Sequence, residues 1–243
     1  MTLFGFEGTA RLWVVFEYVD TAYVKKLLPG YLQLATAPEF PAGKHPMMYT
    51  FGTQTVAMRP FTWFKTSYRE SIIGVCSVEL KNGGSGGPYS LMTATPVTSL
   101  LALLLGRLFG FPKTMKRVKA TDDTYSIATF LRKNAVLSNI FEATGPTDTP
   151  AAHPQCREIE KFLVHPVISR APWGMLLASR FQFDEGSRKV TPVAATGQVM
   201  AQDLAGLPGG TYRWPQPPVG GIRLGAFLLE HQWRADLPSR VSR

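Results

Sequence analysis

The sequence predicts an α+β fold that is mainly antiparallel β, with a few short helices and a sheet that is closed or two-layered. Three observations point there. Turn signals recur every ~8–12 residues, and strand-like segments outnumber helical ones several-fold. Nineteen prolines and 22 glycines in 243 residues are too many helix breakers for a bundle. Apolar residues make up 45% and charged residues 18%, which excludes intrinsic disorder and supplies a real core. No linker or internal repeat divides the chain, so residues 1–243 read as a single domain.

The elements follow in order. Residues 11–17 (R-L-W-V-V-F-E) are strand-like. Residues 21–28 have short helical spacing and stop before Pro29-Gly30. Residues 47–58 and 69–80 read as strands, and 81–88 (K-N-G-G-S-G-G-P) as the turn into another strand, 89–95. Thr95-Pro96 has the form of a helix start, with threonine as cap and proline in the first turn. The helix would run from Val97 to Phe109 and stop at Gly110. It is apolar on nearly every face and is expected to be buried; no charged residue occurs between Gly84 and Gly106. Strands are expected at 124–133, 136–143, 158–164, 177–183 and 190–201. A Gly/Pro-rich stretch, 206–221, then leads to a last apolar segment, 224–233.

Composition limits the function. The net charge of +9 invites a nucleic-acid reading, and the densest basic cluster is Lys113, Lys116, Arg117 and Lys119. No zinc-finger, basic-zipper or RNA-recognition signature accompanies it, so a solvated strand edge is favoured over a nucleic-acid partner. The longest aliphatic run, 100–105, is far below the ~18–20 residues that span a bilayer. No cationic-then-apolar leader is evident, and a soluble cytoplasmic protein with no membrane partner is expected. Two cysteines exclude a disulfide framework: Cys76 reads as a small buried hydrophobe, and nothing favours a bridge to Cys156. The four histidines are scattered without metal-binding spacing.

Lys113 is the first candidate for chemistry. It follows the charge-free helix and a Phe-Pro pair. Nearly every lysine amine in water is protonated at neutral pH. Burial disfavours an ammonium, and a neighbouring cation, here Lys116 or Arg117, works in the same direction. A free amine attacks a ketone and forms an imine. The competing reading is a lysine that starts a strand and snorkels to solvent. Glu70, at the entry to the apolar strand leading to Cys76, is the second candidate. It reads either as a general acid/base or as a solvated strand end paired with Arg69 or Lys65. Gly83-Gly84-Ser85-Gly86-Gly87 matches the G-x-S-x-G string of serine hydrolases. The context is wrong, because a strand rather than a helix follows. Phosphate-loop and dinucleotide glycine patterns are absent.

Taken together, Tyr68-x-Glu70-Ser71, a helix ending Gly106-Arg107, and Phe111-Pro112-Lys113 resemble the acetoacetate decarboxylase-like superfamily. Leu27-Leu28-Pro29-Gly30-Tyr31-Leu32 is similar to that family's N-terminal region, and the likeness extends from about residue 12 to about residue 120. The resemblance implies curved antiparallel sheets closing into a barrel-like cone, with peripheral helices outside and the lysine inside. It also implies a homo-oligomer, Lys113 as the imine-forming nucleophile and Glu70 as an acid/base or positioning carboxylate. The chain departs from the decarboxylase pattern in three places. Thr114 stands where the family carries a second lysine. Ala10 or Arg11 stands at the arginine of the N-terminal strand, so Arg11 is a candidate substrate ligand. Thr53, Gln54 or Thr55 stands near a further glutamate. Family members that lack these groups resemble aldolase-dehydratases.

The sequence therefore reads as a lysine-imine carbon–carbon lyase for small oxo acids, leaning to condensation of pyruvate with an aldehyde and loss of water. The alternative within the chemistry is a β-keto acid decarboxylase. Gln54 or Tyr68 would orient a substrate oxygen, and no metal or organic cofactor is called for. An alternative of another class is a non-catalytic binding module for a small apolar oxo compound, with Trp13, Trp63, Phe64, Trp173 and Trp214 lining the pocket.

Overall fold

The computed structural model describes residues 4–83, 87–120, 124–128, 135–143, 164–201, 210–214 and 222–241. The N-terminal half holds β1 (Gly5–Asp20), α1 (Thr21–Val24), β2 (Leu32–Leu34), β3 (Lys44–Arg59), β4 (Lys65–Leu80), β5 (Tyr89–Val97), α2 (Leu100–Leu108) and β6 (Lys113–Met115). Then come β7 (Arg117–Ala120), β8 (Thr124–Ala128), β9 (Ala135–Ala143), β10 (Val167–Arg170), β11 (Leu176–Ser179) and β12 (Phe181–Phe183). The described chain closes with β13 (Lys189–Ala201), β14 (Gly210–Trp214), β15 (Ile222–Asp236) and β16 (Ser239–Arg240). All sixteen strands belong to one curled, half-barrel sheet, in the central order β10-β5-β4-β3-β1-β15-β13-β9. The class is α+β as expected, and the sheet is mixed: β6 and β10 both run parallel to β5, whereas the other pairings are antiparallel.

Two apolar faces explain why β3 alternates only loosely in sequence. Met47, Tyr49 and Phe51 point to one core with Ile73 and Val75, under α1 and β2. Met48, Thr50 and Gln54 point to the concave side, where Leu12, Val14 and Leu229 also lie. A strand buried on both faces shows no clean polar alternation. The Thr21–Val24 helix continues into a 3-10 turn, Lys25–Leu27, and ends where Leu28 turns extended before Pro29. Cys76 is buried in the core on the concave side of the sheet, as a small hydrophobe should be.

The helix after β5 starts later than the sequence suggests. Thr95 and Pro96 remain in the strand, paired with Lys113 and Thr114. Ser99 is the cap, its Oγ accepting from the Ala102 N–H at 3.3 Å. The β-branched Val97 and Thr98 prolong the extended chain, so the next good capping residue takes over. Nor is α2 buried all round. It packs through Ala102 and Gly106, while Leu100, Leu104 and Leu108 are 61%, 58% and 47% exposed. The single expected segment 177–183 is two strands, β11 and β12. The expected strand 158–164 falls outside the described residues up to 163. The glycine-serine loop at 84–86 and Cys156 also lie outside them.

His45 carries a prediction about stability. It is 1% exposed, and its Nε2–H donates to the Cys76 carbonyl at 2.6 Å, where β4 bulges against β5. Burial lowers its pKa to about 4. The unfolded chain takes up this proton near pH 6.5, so between 6.5 and 4 it binds more protons than the folded one. Stability is therefore expected to fall as pH drops through that window, by up to about 3 kcal/mol from this histidine. Urea midpoints at pH 7 and pH 4.5 check it. A slope unchanged in His45→Gln would remove His45 as the cause.

Candidate active site

The concave face lines a cavity of about 200 Å³. The pleat decides which side chains reach it, since alternate residues face opposite ways. On β1 the even positions Phe6, Ala10 and Leu12 point in; on β4 they are Tyr68, Glu70 and Ile72. Gln54 on β3 stands directly opposite Tyr68 on β4 and Ala10 on β1. Glu70 is Gln54's diagonal neighbour, and its own cross-strand partner is Gly52. A Cβ at 52 would run into the Arg11 carbonyl, so glycine permits the close approach of β1 and β3 beside Glu70.

Lys113 is brought in by the end of α2. Gly110 has φ +79°, and a side chain there would collide with the Arg170 carbonyl. The Phe111 N–H donates to Gly106 O at 2.9 Å and the Gly110 N–H to Arg107 O at 3.0 Å, a Schellman closure of the helix. The chain then passes Pro112 and enters β6. The Arg107 Nε–H donates to the Lys113 carbonyl at 2.9 Å and holds its backbone. The lysine stem lies across Gly106, where a Cβ would overlap Cδ and stand 2.6 Å from Cε and 2.9 Å from Cγ. Glycine, arginine and lysine in the 106–113 string thus form one device for aiming an amine.

That amine ends among polar groups. Lys113 Nζ lies 2.5 Å from Glu70 Oε1 and 3.4 Å from the Tyr68 hydroxyl. The Gln54 amide donates to the other Glu70 oxygen. Lys113 is 9% exposed, Glu70 3%, Gln54 8% and Tyr68 8%. Burial, and secondarily the Glu70 charge, raises the Tyr68 pKa well above its usual value. The phenol therefore keeps its proton at neutral pH and can donate it to an oxygen bound nearby. Lys113 does start a strand, but its side chain turns inward instead of lying on a solvated edge. The side chain of Arg117 lies outside the described residues.

Four of the five residues singled out from sequence meet here: Lys113, Glu70, Gln54 and Tyr68. Arg11 does not. It points outward, pairs with Glu230 at 3.2 Å, and leaves Ala10 on the cavity side. A one-residue register difference decides the face in a strand, and Thr53 is exposed for the same reason. Of the aromatics expected to line a pocket, Trp13, Trp63, Phe64 and Trp173 do not. Trp63, Phe64 and Trp173 are exposed, Trp13 packs against the opposite core, and the side chain of Trp214 is outside the described residues. The aromatic lining is instead Phe6, Phe109, Phe111, Phe181, Phe183 and Trp233. His231 also faces the cavity and was not found from the sequence. The alternation Leu229-x-His231-x-Trp233-x-Ala235 was the available signal. No group of metal-ligating side chains occurs among the described residues.

Gly106→Ala is expected to push the lysine stem aside while keeping the helix, because alanine is the better helix former by roughly 1 kcal/mol. Amine reactivity should fall at least about tenfold with the melting temperature held or raised. Unchanged reactivity would show that the stem has another route to Glu70.

This curled sheet is the fold of the acetoacetate decarboxylase-like enzymes. Three solved structures show the likeness, each aligned over 100% of this chain. The enduracididine biosynthesis enzyme MppR complexed with pyruvate has a TM-score of 0.63 at 13% identity, with 92% of that chain covered. Acetoacetate decarboxylase from Legionella pneumophila has 0.63 at 12% and 90%. An acetoacetate decarboxylase-like enzyme from Sphingomonas wittichii RW1 has 0.62 at 13% and 94%. MppR is also solved with the condensation product of pyruvate and imidazole 4-carboxaldehyde. At these identities the likeness is one of fold. No protein-family model matches the sequence, and no curated protein does.

Proposed function

We propose that the protein is a lysine-imine carbon–carbon lyase acting on small oxo acids, with pyruvate–aldehyde condensation and dehydration as its reaction. The observation that carries this is the buried Lys113 amine held 2.5 Å from Glu70 at the wall of the concave-face cavity. Glu70 takes the proton that Lys113 must lose. The free amine attacks the keto carbon, and the carbinolamine hydroxyl takes that proton back from Glu70 and leaves as water as the protonated imine forms. Glu70 then removes a methyl proton, the electron pair moves toward the imine nitrogen, and an enamine results. The enamine carbon bonds to the aldehyde carbon, and the aldehyde oxygen takes a proton, for which the Tyr68 hydroxyl is the nearest neutral donor. Glu70 passes its proton to the Tyr68 oxygen and takes the second proton from the same former methyl carbon; the hydroxyl leaves as water carrying that proton, which gives a conjugated protonated imine, and hydrolysis returns Lys113. Gln54 keeps Glu70 oriented throughout. The imine is itself the electron sink, so the steps call for no added cofactor.

Two things support the condensation over other outcomes: Thr114 stands beside Lys113 where a decarboxylase carries lysine, and MppR, of the same fold, was solved with pyruvate and a pyruvate–aldehyde product. β-Keto acid decarboxylation is the second reading. It uses the same imine, and the largely apolar cavity favours loss of a charged carboxylate as neutral carbon dioxide. Borohydride reduction in the presence of pyruvate tests the common step. One reduced pyruvyl group on Lys113 is the expected mass change, and intact unmodified protein would reject the imine. Conjugated-product absorbance with an added aldehyde, against carbon dioxide release from acetoacetate, separates the two reactions.

A further inference from the structure

The cavity has two ends of different chemistry. Lys113, Glu70, Tyr68 and Gln54 make the reactive end. The other end is aromatic, with Phe181 edge-on to Trp233 at 5.6 Å and Phe183 edge-on to His231 at 4.8 Å. Ser179, whose Oγ is likewise buried without a partner among the described residues, and His231 are polar side chains of that wall, and the Phe183 contact puts His231 among the rings. His231 is 6% exposed, it lines the cavity, and its Nδ1 is buried with no hydrogen-bond partner among the described residues. Buried polar atoms are nearly always paired, so an orphan facing a cavity marks a place where a bound molecule can supply the partner.

The register gives the distance. His231 stands opposite Ala10, Ala10 opposite Gln54, and Gln54 opposite Tyr68. All four face the cavity. Between His231 and Gln54 lies only the Ala10 methyl, across two strand intervals or about 10 Å along the sheet. One six-membered ring fills such a gap, with a reacting carbon at one side and a hydrogen bond of about 3 Å at the other. A cavity of about 200 Å³ has room for that ring beside a three-carbon oxo acid.

Charge narrows the class. Burial, helped by Arg188, lowers the His231 pKa to about 4, so at neutral pH it is an uncharged imidazole. Lys113 and Glu70 neutralise each other, and Asp236 at the cavity edge is held by Arg59 at 2.9 Å. Among the described residues that line the aromatic end none is a cation; the Arg188 guanidinium, outside the lining, stands 5.4 Å from the centre of the Phe183 ring.

We infer that the aromatic end seats an uncharged aryl group with a hydrogen-bonding substituent on its far edge, read by His231 Nδ1, and that the aldehyde partner is accordingly a hydroxyaryl aldehyde. The aldehyde clause rests on the imine reading; the aryl seat does not. Alcohols test the seat without any carbonyl chemistry. In calorimetry, 4-hydroxybenzyl alcohol is expected to bind about tenfold more tightly than benzyl alcohol, the worth of one hydrogen bond. 4-(Hydroxymethyl)benzoate is expected to bind more weakly than either. His231→Leu should erase the tenfold preference, and His231→Gln, which keeps a hydrogen-bonding end, should restore part of it. Equal affinities for the three alcohols, tightest binding of the benzoate, or a preference that survives in His231→Leu would each overturn the assignment. The wild-type series decides the matter even if a variant does not fold. Borohydride trapping of pyruvate on the wild-type protein is run alongside. No trapping with the alcohol preference intact rejects the imine and the aldehyde clause while leaving the aryl seat.

Discussion

Lys113→Met is expected to abolish borohydride-dependent labelling by pyruvate and to lower turnover by at least about 10³-fold, since among the described residues no other lysine lines the site. Methionine keeps most of the stem volume over Gly106, so the loss reads the amine and not the packing. The variant also leaves Glu70, 3% exposed, without its cation. Breaking a buried pair by removing one partner typically costs about 3–5 kcal/mol. A measurable drop in the urea midpoint should therefore accompany the loss of activity. Labelling that persists on another lysine, or turnover within about tenfold of wild type, would end the assignment of Lys113 as nucleophile.

Glu70→Gln should show a different pattern. Glutamine preserves shape and still faces Gln54, but it carries neither the charge that holds the Lys113 ammonium nor a basic oxygen. Turnover is expected to fall by about 10²–10⁴, the usual contribution of a positioned acid/base. Imine trapping should fall much less, because an external base can deprotonate the amine before attack. This split identifies Glu70 as the carrier of the proton in the later steps. If trapping and turnover fall together, Glu70 serves chiefly to hold Lys113. Stability offers a cross-check: the double variant Lys113→Met/Glu70→Leu should be more stable than either Lys113→Met or Glu70→Gln, because it leaves no buried charge alone. A double variant less stable than both would show that the pair itself holds the cavity wall in place.

The site was legible where local chain chemistry does the positioning. Gly106, Arg107, Gly110 and Lys113 lie within eight residues, and one helix end with its Schellman closure places them all. Tyr68 and Glu70 share a face because they are two apart in one strand. Arg11 and Ala10 could not be told apart, because neighbouring positions differ only in which way the pleat turns them, and pairing of β1 with β3 and β15 sets that. The start of α2 was misplaced for a related reason. Thr95 and Ser99 are both good caps, and β6 pairing along Thr95–Val97 selects the later one. The exposed leucines of α2 were also unreadable. A helix apolar all round gives no hint of which face packs, and here the small residues Ala102 and Gly106 take the inside.

The amino-acid order alone predicted a strand-rich α+β chain and a short helix closed at Gly110, which rest on propensity, period and turn chemistry acting over a few residues; Lys113 and Glu70 were singled out as a pair for carbonyl chemistry by the family resemblance. Three-dimensional folding added the meeting of Lys113 with Glu70 at 2.5 Å, the outward turn of Arg11, and the aromatic end with His231. Each joins segments between 43 and well over a hundred residues apart. Such contacts depend on strand register and sheet curvature, and no local window of sequence contains those.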